Sequence, residues 1–289
     1  MILLTGATGN VGSAAAQALV AKRIKFRVLV RDAAKLPEHV REHADVHVGD
    51  LTRHEDVAHG LEGVSNALLV TPNGEPQADI ETAFVDSAVQ CGVKQLVKVS
   101  SMEAAPDAAS AIPLAHYQTE QRIRASNLGW TLLRPNFFMQ NLLLYAAAVR
   151  ATSTLPLPLG RARVAMIDAR DVGRAAAVAL TESGHENRCY ELSGPALTDF
   201  HQVAQILSTE AGAEIAYVEQ SLGDFRASLS QFIPSSWQVD ALVALFGTIA
   251  GGALERSSSD IANILGEPAN TLERFAKEYA AVFSASATN

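Results

Sequence analysis

The chain has 289 residues, of which 48% are hydrophobic and 19% charged, and its formal net charge is -8 at pH 7. This supplies a large core for one domain, or for a domain with a smaller lobe. The acidic balance and the absence of a long Lys/Arg cluster argue against an obligatory nucleic-acid partner. The longest uncharged run, residues 241–254, is too short and too rich in glycine to span a bilayer.

Two cysteines, Cys91 and Cys189, lie far apart in the sequence. We expect buried structural thiols rather than a disulfide, as in a reducing compartment. A glycine-rich motif begins at Thr5, which leaves no room before it for a cleavable signal sequence. The sequence therefore predicts a cytoplasmic protein, a monomer or homodimer, that requires neither nucleic acid nor a membrane.

The first motif, Thr5-Gly-Ala-Thr-Gly-Asn-Val-Gly12, joins a short apolar strand over residues 1–4 to a predicted helix. Gly6 permits a tight turn, Gly9 lets the backbone approach a phosphate, and Gly12 removes a side chain where the helix presses on the strand. The free N–H groups and positive dipole end of that helix face the anion. The motif predicts a dinucleotide site, although glycines also mark ordinary turns.

A second apolar run, residues 26–30, completes one βαβ unit, and its end decides the type of dinucleotide. Arg31 offers a cation to a 2′-phosphate where an acidic residue would bind the ribose. Lys35 shares a helical face with Arg31 if a helix starts there. NADP(H) is therefore favoured over NAD(H). Two alternatives stay open: Asp32 could serve the ribose hydroxyls, or both cations could be solvated surface residues.

Strand-like and helix-like stretches alternate through the first half of the chain. The predicted strands cover residues 1–4, 26–30, 45–48, 66–70, 95–100 and 130–133. This alternation predicts an α/β protein with a Rossmann-like, doubly wound parallel sheet. Ligands of such sheets bind beyond the carboxyl ends of the strands. The predicted cofactor-binding residues therefore follow the strands: Thr5, Gly6, Thr8, Gly9, Asn10, Val11, Gly12, Arg31, Lys35, Asp50, Thr71, Pro72, Ser100 and Ser101.

Three aspartates have two interpretations each. Asp50 could place a carboxylate near the adenine amino group, or it could cap the helix predicted over residues 53–61. Asp168 and Asp171 resemble a pair of catalytic acids, but aspartates at a helix start are more typical of caps.

The character of the sequence changes after Pro135. The predicted elements are then a helix over 136–151, a loop over 152–163, a strand over 165–168, a helix over 171–181, and strands over 189–192 and 213–218, with helices dominating to a last one over 271–283. We therefore predict an NADP(H)-binding domain over residues 1–135, to which 164–194 return. A smaller, mostly helical substrate-binding lobe is predicted over 136–163 and 195–289.

Several motifs spread over nearly the whole chain match one known family. They are the glycine motif, Arg31 with Lys35, Gly49-Asp50, Leu133-Arg-Pro-Asn-Phe-Phe-Met-Gln-Asn141 and Ile167-Asp-Ala-Arg-Asp-Val172. In these the chain resembles the NmrA-like group of atypical short-chain dehydrogenases. Residues 112–116 and 179–187 look like those of bacterial NAD(P)H:quinone reductases and triphenylmethane-dye reductases. The resemblance implies a Rossmann lobe, a small C-terminal lobe, and NADPH held by Gly6, Gly9, Gly12, Arg31 and Lys35.

One departure concerns the acid of ordinary short-chain dehydrogenases, which the resemblance would place as a tyrosine with a lysine four residues later. Here Tyr117 is followed by Gln121. Tyr117 therefore lacks the cation that would support it as a general acid. Packing roles are the alternative for Tyr117 and for its neighbour His116.

An acceptor that is already an electrophile, such as a quinone or a cationic dye, needs little acid catalysis, because the cofactor carries the difficult chemistry. We predict direct hydride transfer without flavin or metal. The predicted catalytic residues are His116 as proton donor or relay, Tyr117, and Asn136 as a hydrogen-bonding amide. The predicted substrate-binding residues, which would hold a small aromatic substrate in a flat slot, are Phe137, Phe138, Asn141, Phe232 and Trp237.

Other functions remain open. Core packing is the alternative for at least half of these aromatic residues. A redox sensor that binds NADP(H) without turnover is the second hypothesis, and a sugar-nucleotide epimerase is a weaker third, because it too would want the Tyr/Lys pair. The eight histidines are scattered and neither cysteine has a second nearby, so we predict no metal site.

Overall fold

The computed structural model describes residues 1–284, so residues 285–289 of the predicted second lobe lie outside the described part. A parallel sheet forms its centre. The strands of this sheet are β1 (Ile2–Leu4), β2 (Phe26–Val30), β3 (Asp45–Val48), β4 (Asn66–Leu69), β5 (Gln95–Val99), β6 (Gly129–Pro135) and β9 (Arg188–Leu192). Their spatial order is β3-β2-β1-β4-β5-β6-β9. The predicted Rossmann-like, doubly wound sheet is confirmed.

The topology places a crevice between β1 and β4. Ile2 lies opposite Phe26 of β2 on one side and Asn66 of β4 on the other. The chain runs outward from β1 to β3 and then crosses back to β4, so the strand order reverses at this point. Such a switch point is where open α/β sheets bind ligands.

Helices cover both faces of the sheet. Those in the first part of the chain are α1 (Asn10–Ala21), α2 (Glu38–His43), α3 (His54–Leu61), α4 (Gln77–Gln90), α5 (Ala111–Arg124) and α7 (Ala169–Thr181), with a 3-10 turn at Ala33–Lys35. A second 3-10 turn, Met139–Tyr145, lies in the second core described below. Helices α1 and α7 pack against each other over one face. Gly173 allows this close approach, because a Cβ there would lie 2.6 Å from the Val11 carbonyl oxygen.

A second apolar core lies beyond the carboxyl end of β6. Its helices are α6 (Ala146–Thr152), α8 (Phe200–Ala211), α9 (Leu222–Ser230), α10 (Ser236–Ala250), α12 (Leu272–Glu278) and α13 (Ala280–Phe283), whereas α11 (Asp260–Leu265) packs in the core of the main sheet. Two small sheets join them: β7 (Thr154–Leu157) is parallel to β11 (Ala216–Glu219), and β8 (Arg163–Val164) is antiparallel to β10 (Thr198–Asp199). Phe137, Phe200, Phe225 and Phe275 lie in this core. The domain boundaries drawn from the sequence stay predictions.

Two elements predicted between residues 136 and 168 are wrong, and one contact explains both. The predicted helix over 136–151 is a 3-10 turn over Met139–Tyr145 followed by α6. The Met139 N–H donates to the Ile167 carbonyl (2.9 Å), and the Ile167 N–H donates to the Phe137 carbonyl (2.9 Å). This backbone pairing delays the helix, and it is the single bridge that remains of the strand predicted over 165–168.

Smaller differences concern the last third of the chain and the cysteines. The strand predicted over 213–218 begins later, at Ala216, and the helix predicted over 271–283 breaks at Tyr279. Cys189 is exposed and Cys91 half-buried, so the expectation of buried thiols is wrong; both are free. Across residues 1–284, no helix combines the length and apolarity that crossing a membrane requires.

Candidate functional site

The glycine loop follows β1 with the geometry that its three glycines predict. Gly6 has φ +64°, a conformation that favours glycine. The Gly9 N–H donates to the Gly6 carbonyl at 2.9 Å and closes the turn. A Cβ at Gly12 would lie 2.2 Å from the Gly6 carbonyl oxygen. The loop and the first turn of α1 can touch only because Gly12 has no side chain.

A cavity of about 430 Å³, here the glycine-loop cavity, opens in front of this turn. Its wall is formed by residues 6–9, 29–31, 49–52, 70–74, Pro76, Gln77 and Ile80. Seven of the predicted cofactor-binding residues lie in this wall: Gly6, Thr8, Gly9, Arg31, Asp50, Thr71 and Pro72. The cavity is the site that the crevice between β1 and β4 predicts.

Arg31 and Asp50 face this cavity together. The Asp50 carboxylate accepts the Thr52 N–H and hydroxyl, both at 2.9 Å. These bonds and the Arg31 charge lower the pKa of Asp50, so the carboxylate is ionised at neutral pH. Helix α3 begins after Arg53 without a side-chain cap, so the capping interpretation of Asp50 is wrong.

The two other charged residues at this end of β2 have different positions. Asp32 accepts the Ala34 N–H at 2.9 Å and caps the following 3-10 turn, outside the cavity wall. One oxygen of the Asp32 carboxylate is engaged in this way, and its role toward ribose hydroxyls stays an alternative. Lys35 is exposed and also lies outside the wall. Arg31 is therefore the basic residue of this pair that faces the cavity.

Thr5, Asn10 and Gly12 do not contribute to either cavity described here. The Thr5 hydroxyl donates toward the Leu68 carbonyl (3.1 Å) and the Val70 carbonyl (3.0 Å) and accepts the Val70 N–H (2.8 Å). Thr5 thus joins the ends of β1 and β4. Its role is to hold the switch point in place.

A second cavity of about 520 Å³, here the apolar cavity, adjoins the first and shares residues 70–73 with it. Its wall also includes Val11, Val99, Ser100, Ser101, Glu103, Ile112, His116, residues 135–138, Asn141, Leu144, Tyr145, Phe225, Leu229, Ile233, Gln238, Leu242, Leu245, Phe246, Ile249 and Leu254. The predicted substrate residues Phe137, Phe138 and Asn141 lie in it. The sequence did not point to the contributions of α9 and α10.

The other two predicted substrate residues, Phe232 and Trp237, do not reach this wall, and Phe232 is 82% exposed. The reason is helical phase. The inward stripe of α9 and its continuation is Phe225, Leu229 and Ile233, at intervals of four. Phe232 and Trp237 each lie one residue away from a wall residue, Ile233 or Gln238. Phe232 and Trp237 therefore do not belong to the flat slot predicted from the sequence.

Asn136 lies in the wall but is engaged by the protein. Its Nδ2 donates to the Leu254 carbonyl (3.1 Å) and the Arg256 carbonyl (3.3 Å), while Oδ1 accepts the Phe137 N–H (2.7 Å). Both amide N–H groups therefore have partners inside the chain. This geometry favours a role in fastening the loop after α10 to the end of β6 over the catalytic role predicted for Asn136.

The two serines after β5 are both bonded to carboxylates. Ser100 donates to Glu120 at 2.6 Å, and Ser101 donates to Glu103. Burial raises the pKa of Glu103, whose side chain lies in the apolar cavity wall. The sequence did not single out Glu103; an acid two residues beyond a predicted ligand is a weak signal.

His116 is 7% exposed and lies in the same wall, as expected from its predicted role. Behind it lies a buried polar cluster that the sequence did not indicate. Lys98 Nζ donates to Glu81 Oε1 (2.7 Å) and to His116 Nδ1 (3.1 Å), and Thr71 donates to the same Glu81 oxygen (2.6 Å). A lysine between two valines of a buried strand is the signal for such a cluster, since buried lysines need a partner.

Tyr117 occupies the next position on α5, rotated by about 100° from His116, and lies in neither wall. The catalytic role predicted for it has no support in this geometry. Asp168 caps α7 through the Arg170 N–H (2.9 Å), which confirms the capping interpretation for this residue. Asp171 lies inside α7 and accepts the Asn270 N–H (2.7 Å), so the capping interpretation is wrong for it. Among residues 1–284, no group of three or more His, Cys, Asp or Glu side chains is placed to hold a metal ion.

The sheet order, the glycine turn and the paired cavities define a dinucleotide-binding α/β protein with a Rossmann-like fold. The chain belongs to the NmrA-like family, whose sequence model matches residues 1–276. The resemblance noted from the sequence is thus confirmed.

The chain is also similar to three individual proteins. The NAD(P)H azoreductase of Xenophilus azovorans is 35% identical over 285 residues, covering 99% of this chain and 100% of the relative. The (4-alkanoyl-5-oxo-2,5-dihydrofuran-3-yl)methyl phosphate reductase of Streptomyces griseus is 32% identical, covering 98% and 99%. The crystal structure of an NADPH-dependent quinone oxidoreductase from Escherichia coli, complexed with NADPH, is 26% identical, with a TM-score of 0.85 and coverage of 96% and 99%.

Proposed function

We propose that the chain transfers a hydride from NADPH to a conjugated acceptor, an azo compound or a quinone, bound in the apolar cavity. The main support is that the glycine-loop cavity and the apolar cavity meet at residues 70–73. The first is lined by the glycine loop, and the second by apolar and aromatic side chains. A dinucleotide held by the glycine loop would reach the acceptor at this shared segment. Membership of the family and the names of its relatives support the coarser conclusion of an NAD(P)H-dependent oxidoreductase.

The residues present fit a dinucleotide. Gly6 and Gly12 have neighbouring backbone atoms within 2.9 Å of where a Cβ would be, so the loop is built for close backbone approach. Arg31 in the wall would pair with a 2′-phosphate, and this carries our preference for NADPH over NADH. When bound, NADPH supplies the hydride.

The wall of the apolar cavity suits a flat acceptor of low charge. Phe137 packs edge-on against Phe246, with ring centroids 6.1 Å apart. Burial raises the pKa of Tyr145, which stays a neutral hydroxyl. Within the described residues, Glu103 is the single acid or base of the wall besides His116 and Tyr145. Azo compounds and quinones, which the names of two relatives mention, are flat electrophiles of this kind.

A sensor that binds NADP(H) without turnover is the second candidate, favoured by Gln121 in place of the lysine that would assist Tyr117. The decisive experiment follows the absorbance of NADPH with the purified chain and a small quinone, an azo dye, or no acceptor. Saturable oxidation with either acceptor supports the reductase. Tight NADPH binding without oxidation by any acceptor would favour the sensor.

A matched pair of variants locates the acceptor. Ile233 lies in the wall, whereas its neighbour Phe232 is exposed. We expect Ile233→Asp to raise the KM for the acceptor and leave the KM for NADPH unchanged, because it puts a charge into the apolar cavity. Phe232→Asp should alter neither constant. Equal effects of the two variants would place the acceptor elsewhere.

A further inference from the structure

Lys98 is a fully buried lysine on β5 whose ammonium group lies against His116. Its Nζ donates to Glu81 Oε1 (2.7 Å), to the Val99 carbonyl (3.0 Å) and to His116 Nδ1 (3.1 Å). Three acceptors match the three N–H groups of an ammonium ion. His116 Nδ1 is therefore a hydrogen-bond acceptor.

An imidazole that accepts at Nδ1 carries its proton on Nε2 when it is neutral. Burial and the Lys98 charge lower the pKa of His116 to about 3, so the ring is neutral at physiological pH. Gln77 Nε2 lies 3.3 Å and 3.4 Å from the two ring nitrogens. With the proton on Nε2, only Nδ1 can accept the Gln77 N–H, and within residues 1–284 Nε2 has no hydrogen-bond neighbour other than Gln77.

His116 lies in the wall of the apolar cavity and Lys98 does not, so the imidazole stands between the ammonium group and the cavity. We propose that Lys98 is a positioning residue that fixes His116 as the Nε2–H tautomer. His116 then donates from the wall to the acceptor and passes a proton to it. This inference rests on the proposed function. His116 and Lys98 would take the place of the Tyr/Lys acid pair of ordinary short-chain dehydrogenases.

The proton balance is complete. An acceptor that has taken a hydride at one atom of its conjugated system carries a negative charge on an oxygen or nitrogen. That atom takes the proton of His116 Nε2, and His116 Nδ1 takes one proton from the Lys98 ammonium, which becomes a neutral amine. The acceptor leaves as the neutral reduced species, with one proton and one hydride added.

Glu81 and Thr71 hold Lys98 at the distance from His116 at which it can give its proton to Nδ1 and take it back. Thr71 donates to Glu81 Oε1 at 2.6 Å, the same oxygen that accepts from Lys98 at 2.7 Å. Thr71 is half-buried and lies in both cavity walls, where water has access before the ligands bind. After the product leaves, water in the open cavity protonates His116 Nε2, and Nδ1 returns its proton to the Lys98 amine, which restores both the Nε2–H tautomer and the ammonium group.

The first test reads the tautomer directly. Protein labelled with ¹⁵N-histidine is examined by two-bond ¹H–¹⁵N correlation near neutral pH, and the spectrum of His116→Gln assigns the His116 signals. We expect Nδ1 to be unprotonated and Nε2 protonated. A proton on Nδ1 would overturn the proposal, and this result needs neither an acceptor nor a folded Lys98 variant.

The second test combines Lys98→Met with Glu81→Gln, which removes both charges and leaves no buried ion unpaired. We expect the fixed tautomer to be lost and kcat to fall about a hundredfold, while the KM values for NADPH and acceptor stay unchanged. Lys94→Met, at an exposed lysine before β5, is the control and should match the wild type. An unchanged tautomer and kcat in the folded double variant would refute the positioning role.

The two proposals can fail separately. In one case, the wild type oxidises no NADPH with any acceptor but shows the Nε2–H tautomer, and the double variant loses this tautomer. The proposed function is then wrong, and the positioning role of Lys98 is supported. If the wild type turns over and the double variant turns over equally, the proposed function stands and Lys98 is only structural.

Discussion

Lowering the pH should reduce the free energy of unfolding of the wild type more than that of His116→Gln. The reason is that the buried imidazole stays neutral in the folded protein, whereas the same imidazole binds a proton in the unfolded chain. The pKa of His116 falls from 6.5 to about 3 on folding, with Lys98 and Glu81 as the charged groups facing the ring. A depressed pKa makes stability fall as pH drops below 6.5, until the folded pKa is reached. At about 1.4 kcal/mol per pH unit, the wild type should lose about 2 kcal/mol more than the variant between pH 7.5 and 5.

Urea unfolding followed by circular dichroism at each pH measures this difference. Groups such as Asp171, whose pKa burial raises, titrate in both proteins and cancel in the comparison. His39→Gln removes an exposed histidine on α2 and should track the wild type at every pH. Parallel pH profiles for the wild type and His116→Gln would show that His116 is protonated as easily in the folded protein, and would refute a neutral ring.

Three further outcomes are expected. Arg31→Ala should weaken NADPH binding about tenfold or more in a fluorescence titration and leave NADH binding unchanged; Arg53→Ala is the control, and equal losses for both nucleotides would contradict the 2′-phosphate role. Gly12→Ala should abolish binding of both nucleotides in the same titration, because its Cβ would lie 2.2 Å from a backbone oxygen; normal binding would contradict the close approach. Lys98→Met should lower the free energy of unfolding by about 3–5 kcal/mol, because it leaves the buried Glu81 carboxylate without its cation. Urea titrations should show that adding Glu81→Gln restores most of this loss. If stability does not recover, the loss comes from packing rather than from the unpaired charge.

The sheet and the glycine loop could be predicted because their signals are local. Buried parallel strands are short continuous apolar runs, and β2 begins and ends where such a run predicts. The glycine motif carries its own geometry, down to the positive φ of Gly6. Arg31 follows from the same logic, since the residue after a strand of this unit must face the crevice.

The failures have non-local causes. The helix expected over 136–151 is interrupted because its first residues pair with Ile167, about thirty positions away in the sequence. Their aromatic side chains predict that Phe232 and Trp237 bind the substrate. The helical phase of α9 and α10, however, decides which side chains reach the cavity. A shift of one position rotates a helical side chain by about 100°, which is enough to turn Phe232 to solvent.

In the proposed proton transfer, the residue that assists His116 lies outside α5. Ordinary short-chain dehydrogenases place the assisting lysine one helical turn after the tyrosine. Here the cation reaches α5 from β5, as Lys98, and its counterion from α4, as Glu81. Spacing along one helix cannot reveal a group assembled from three elements, which the fold brings together here around Lys98. A lysine between two valines of a buried strand is therefore a better guide to the chemistry of this site than the residue four positions after Tyr117.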